Sequence, residues 1–117
     1  MQFDHEKLDA YRVAIDFVAL ADGIVEQLPR GRAYLADQLQ RAATSIPLNI
    51  AEGAGESSPA EKARFYRMAK RSATESAAVF DVANRLSLIT SDSYNAGREL
   101  LLRIVSMLVN MARRSAK

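Results

Sequence analysis

The sequence predicts an all-α chain folded as an antiparallel up-down four-helix bundle. Apolar residues recur with helical spacing through four stretches. Clusters of Pro, Gly and Ser separate those stretches by only a few residues. No segment alternates with the period of two that a half-buried strand requires. Amphipathic helices joined by short loops bury their stripes most simply against antiparallel neighbours. With 117 residues, a single domain over 1–117 is expected, large enough to hold one core.

The first helix is expected from Glu6 to Leu28, with Leu8, Tyr11, Ile15, Val18, Val25 and Leu28 inward, and with Pro29, Arg30 and Gly31 ending it. A second fits Tyr34 to Glu52, with Leu35, Leu39, Ala42, Ala43, Ile46 and Ile50 on one face and Gly53 as C-cap. Pro47 lies inside it and predicts a kink or break near Ala43 to Ser45. The third opens on Ser58 as N-cap, Pro59 at the first helical position and Glu61 closing a capping box, and continues to Leu88. Ser91 or Asp92 caps a fourth, whose inward stripe is Tyr94, Leu101, Ile104, Val105, Leu108, Met111 and Ala112.

On a wheel of 100° per residue the first helix shows a second apolar stripe, Val13, Phe17, Leu20 and Ile24, roughly opposite Ile15, Val18 and Val25. The fourth also carries extra apolar positions at Leu100, Leu102, Met107 and Val109. One reading tucks these helices deep between neighbours. The preferred reading is a subunit interface through Val13, Phe17, Leu20 and Ile24, because a soluble monomer rarely leaves such a patch in water.

Composition removes several function classes. The absence of cysteine excludes disulfides, thiolate metal sites and cysteine nucleophiles. His5 is the sole histidine, so one chain assembles no His-based triad or histidine metal site, and the Glu-x-x-His pairs of a bundle di-iron site are missing. No catalytic set, metal or cofactor is expected. The polar, acidic start of the chain does not read as a signal peptide, so a cytoplasmic protein is expected. Charge is uneven beneath a net +2: residues 1–29 hold six acids against Lys7 and Arg12, whereas residues 62–117 hold eleven Lys or Arg against four acids. Such asymmetry creates a basic face for an anionic partner, or lets the acidic part of one subunit meet the basic part of another.

Three segments carry a family resemblance: Tyr34–Arg41 (YLADQLQR), Ser45–Gly53 (SIPLNIAEG) and Phe65–Glu75 (FYRMAKRSATE), followed by a fourth helix ending in an apolar run. Together they resemble the bacterial four-helix-bundle proteins first noticed as reading frames inside intervening sequences of 23S ribosomal RNA genes. The resemblance spans essentially the whole chain. It implies a ring-shaped homo-oligomer, a homopentamer, with no established enzymatic activity. A related branch, the accessory variability proteins of diversity-generating retroelements, forms a basic pentameric barrel that binds a reverse transcriptase and nucleic acid; this chain is only mildly basic by comparison.

Two groups of side chains are candidate binding residues. Arg64, Arg67, Lys70, Arg71 and Arg85 share one sector of the third helix and can neutralise nucleic-acid phosphates with little regard to sequence, or form a solvated face. Arg113, Arg114 and Lys117 extend the basic character and complement the helix dipole. On the second helix, Gln38, Arg41, Ser45, Asn49 and Glu52 form a polar ridge. It suits contacts between subunits or to a protein partner, or, with a central channel, a small ligand; otherwise it is an exposed face bonding local backbone. Glu75 lies at the edge of the third helix's apolar sector and predicts an ion pair with an arginine of the second or fourth helix. Gly53-Ala54-Gly55 is no phosphate loop, since it follows a helix and lacks a following Gly-Lys-Ser/Thr.

Overall fold

The computed structural model describes residues 1–116, in which four long helices account for most of the chain: α1 Asp9–Gln27, α2 Ala33–Gly55, α3 Pro59–Arg85 and α4 Ser91–Ala116. Short 3-10 turns, Asp4–Lys7 and Arg30–Arg32, precede α1 and α2. There is no strand among the described residues. Connections of a few residues make sequential helices antiparallel neighbours. α1 packs on α2 and α4, and α3 packs on the same two, so α1 and α3 stand at opposite corners of a four-cornered bundle.

The core is built from large side chains on all four helices, with small ones making up most of the inward face of α3. Phe17, Leu39, Ile46, Ile50, Ile104 and Leu108 are fully buried. The inward face of α3 carries Ala63, Ala69, Ala73, Ser76 and Ala83 around Val79 and Phe80. Small residues let helix axes approach, and two aromatic rings use that closeness. Phe80 lies on Gly97 of α4 so tightly that a Cβ there would run into the ring. Across the centre it meets Phe17 of α1 at 5.6 Å between centroids. At the far end, Tyr66 sits over Gly53 of α2, where a Cβ would stand 2.7 Å from Cε1. Burial raises the Tyr66 phenol above its ordinary pKa, an effect opposed by the charge of Arg114.

This core corrects the reading of α1. Val13, Phe17 and Ile24 lie inside the chain's own core, with Leu20 half-buried against it, while Ile15 is 44% exposed. The four residues expected at a subunit interface are therefore mainly internal. The cause is alanine. Ala10, Ala14 and Ala21 share the sector of Phe17 and are buried with it, so the true stripe is long but half of it is small. A count of large apolar residues weights the wrong side. On α2 the expected stripe is the buried one, and on α4 Leu101, Ile104, Leu108 and Met111 are buried while Tyr94, Val105 and Ala112 lie half-buried against the core.

The ends and the proline also depart from expectation. α2 runs through Pro47 as one helix: its flanks Ala43, Ile46 and Ile50 are locked in the core, and Asn49 Nδ2 donates to the Ser45 carbonyl at 2.9 Å. Gly53 is no C-cap but a close-contact residue within the helix. The end of α2 is capped from the next helix, where Lys62 Nζ donates to the carbonyls of Gly53 (2.8 Å) and Ala54 (3.0 Å). Ser58 Oγ accepts from Glu61 N at 3.4 Å, as expected of an N-cap, but the Glu61 carboxylate turns to Arg64 and leaves the capping box open. α3 stops at Arg85 rather than Leu88. Ser87, at φ 58°, takes the left-handed position, and the Leu88 N–H bonds the Ala83 carbonyl (2.9 Å) in a Schellman closure. Thr90, not Ser91 or Asp92, caps α4: its Oγ1 accepts from Ser93 N at 3.1 Å.

Candidate functional site

Arg64, Arg67, Lys70, Arg71 and Arg85 are all exposed on α3, opposite its alanine-rich inner face. They do not form an even row. Arg64 is held by Glu61, with Nη2 2.9 Å and Nε 3.1 Å from the carboxylate, and lies 4.6 Å from the Phe65 ring centroid. That hydrogen-bonded pair lowers the Glu61 pKa and raises that of Arg64. Both partners stay solvated, so the clasp orients Arg64 more than it stabilises the fold.

Arg67, Lys70 and Arg71 differ: among the described residues none of them has an acid within ion-pair distance. They line a shallow groove with Thr74, Glu75 and Ala78, on an outer surface where nothing covers them. Thr74 turns its hydroxyl back onto the Lys70 carbonyl (3.0 Å) and leaves the cations free. Arg85 is also free of an acid, but it lies fourteen residues beyond Arg71, about 21 Å along the helix at 1.5 Å per residue. The site is thus a cluster of three cations with a distant fourth. Glu75 is exposed and makes no ion pair among the described residues, contrary to the expected bridge to α2 or α4. Arg113 and Arg114 are exposed at the end of α4, whereas Lys117 lies outside the described residues.

The polar ridge of α2 divides in two. Ser45 and Asn49 are half-buried at the α2–α3 seam, where Ser45 Oγ meets Ser72 Oγ at 2.8 Å and Asn49 Nδ2 donates to Ser45 Oγ at 2.8 Å. Fully buried Ser76 continues the seam by donating to the Ser72 carbonyl at 3.0 Å. These groups are satisfied inside the chain and bind the two helices to each other. Gln38, Arg41 and Glu52 remain exposed, beside Leu48 at 60% exposure.

A family model described as 23S rRNA-intervening sequence protein matches residues 6–110. The chain belongs to this family. A crystal structure of a protein of unknown function from the S23 ribosomal protein family of Bacteroides thetaiotaomicron superposes with a TM-score of 0.82 at 20% identity, covering 88% of this chain and 97% of that one. At that identity the likeness shows the fold alone. No curated protein matches the chain.

In this member of the 23S rRNA-intervening sequence protein family, the distinctive stretch Ser45–Gly53 is largely committed to packing. Ile46, Pro47 and Ile50 are buried, Ser45 and Asn49 face the seam, and Gly53 receives Tyr66. Sequence reasoning missed Lys62 as a cap, although a lysine in the first turn after a short loop is the available signal. It also missed the bond from Tyr94 Oη to Asp81 Oδ1 (2.7 Å), which raises the Tyr94 pKa and ties α4 to α3 beside their connection. No spacing within either helix announces that contact.

Proposed function

We propose that this chain is a non-enzymatic, homo-oligomeric binding and scaffolding protein of the cytoplasm, a pentameric ring in keeping with its family resemblance, that presents the α3 cations to the phosphate backbone of nucleic acid. The observation that carries the reading is the cluster Arg67, Lys70 and Arg71: three exposed cations within about one helical turn, without acidic partners among the described residues. Cations left unneutralised on a rigid helix attract a polyanion through counterion release. Several copies in one assembly multiply a modest contact into a useful one. The rival reading, a protein or small-ligand site on the α2 ridge, loses ground because Ser45 and Asn49 are already bonded at the seam.

Binding of a duplex RNA, measured by mobility shift across salt concentrations, tests the reading. With Arg67, Lys70, Arg71 and Arg85 engaged, the slope of log K against log salt is expected near −3.6, at about −0.9 per phosphate contact. Arg67→Ala, Lys70→Ala and Arg71→Ala together make it shallower by about 2.7, at about 0.9 for each lost contact. Absence of binding at low salt, or binding indifferent to the triple substitution, contradicts the reading.

A further inference from the structure

The four walls of the bundle fall into two kinds when charge and apolar exposure are considered together. α1 carries four acids against Arg12 and α2 two against Arg41, whereas α3 carries six cations against three acids and α4 four against two. Helical periodicity, anchored by the Ser45–Ser72 seam and the Tyr94–Asp81 bond, assigns these charges to walls. The α3–α4 wall is basic, with Arg67, Lys70, Arg85 and Arg98 exposed against Asp81. The α1–α2 wall is acidic, with Asp22, Glu26 and Asp37 exposed.

The two remaining walls are balanced. On the α2–α3 wall Arg41, Arg64 and Arg71 stand with Glu52, Glu61 and Glu75. On the α4–α1 wall Arg12, Arg103, Arg113 and Arg114 stand with Asp9, Asp16, Asp92 and Glu99. These balanced walls also carry exposed apolar groups. Tyr34, Leu48, Met68, Val82 and Leu86, between 38% and 60% exposed, flank the α2–α3 seam. Opposite them, Leu102 (57% exposed) and half-buried Met107 line an open groove with Asp9, Arg12, Val13 and Arg103.

We infer that the α2–α3 wall of one copy docks onto the α4–α1 groove of the next, head to tail. The occupant is a second copy because the two walls are opposite sides of the same bundle, both apolar at their centres and mixed in charge at their rims. Association through either single-sign wall with its own kind brings like charges together. A contact between different patches is heterologous, so it propagates to a ring or a filament and never stops at a symmetric pair. In such an assembly every α3–α4 wall lies on the same side, which gathers Arg67, Lys70 and Arg85 of all copies, with Arg71 at the rim of the contact. The inference rests on the self-association in the proposed function and specifies its surfaces.

A mixing experiment tests it. One variant, Leu48→Glu with Met68→Glu, spoils the α2–α3 wall; the other, Leu102→Glu with Ser106→Glu, spoils the α4–α1 groove. All four residues are exposed, so each variant keeps its helical circular dichroism and melting transition. By light scattering the wild type is expected to form multimers, each variant alone a monomer, and their equimolar mixture a complex of two chains that grows no further. If the groove variant alone still dimerises and the mixture gains nothing, the contact joins like walls and the inference falls while self-association stands. A wild type that is monomeric at all concentrations overturns both, leaving nucleic-acid binding to its own assay.

Discussion

α1 and α3 occupy opposite corners of the bundle and differ most in the charge of their outer faces. α1 buries Val13, Phe17 and Ile24 among three alanines and exposes acids; α3 buries Tyr66, Val79 and Phe80 among four alanines and Ser76, and exposes cations. A helix with a small inner face approaches its neighbours closely, and α3 is accordingly tied on both sides. It meets α2 through the Ser45–Ser72 bond and Tyr66 on Gly53, and α4 through Phe80 on Gly97 and Asp81 with Tyr94. α1 is tied by bulk burial, with no side-chain hydrogen bond to another long helix among the described residues. The helix with the most specific internal contacts is also the one whose outer face is left free for a partner.

The comparison breaks most visibly at Phe17. Phe17→Ala removes a fully buried ring that closes α1 against Phe80, and a loss of about 3–5 kcal/mol is expected in urea unfolding. Ile15→Ala, two positions earlier and on the exposed side, is expected to change stability by no more than about 0.5 kcal/mol. If the two losses are equal, the exposed and buried sides of α1 are wrongly assigned.

Gly97→Val tests the close approach of α3 from the α4 side. The added side chain collides with the Phe80 ring, itself packed on Phe17, and about 1–3 kcal/mol of overpacking cost is expected on thermal or urea unfolding. A neutral result means that the ring moves aside and the α3–α4 distance is not set there. A smaller effect than at Gly97 belongs to the connection after α3. Ser87→Gly relieves a left-handed backbone that glycine adopts freely, and is expected to raise stability by about 0.5–1 kcal/mol in the same assay. A loss would show that the Ser87 conformation carries no strain.

The same contrast explains what was legible in the sequence. Four helices, short connections and the stripes of α2 and α4 were readable because Leu and Ile mark them at helical spacing. The stripe of α1 was misjudged because alanine marks a buried face only faintly, so Ile15 seemed inward while Ala14 went uncounted. Residue chemistry singled out the α3 cations. Rotamers decide that Glu61 clasps Arg64 within α3, and a partner on another helix, Ser72, decides that Ser45 and Asn49 are consumed at the seam, so neither was read from the sequence.

Hydrogen–deuterium exchange of the wild-type protein with and without a short RNA duplex at low salt addresses the central claim most directly. The account predicts added protection in peptides spanning Arg67–Arg71 and Arg85 of α3, and none in peptides of α1 spanning Asp16–Glu26. Protection confined to α1 or to the α2 ridge, or no change anywhere despite saturating duplex, would contradict it.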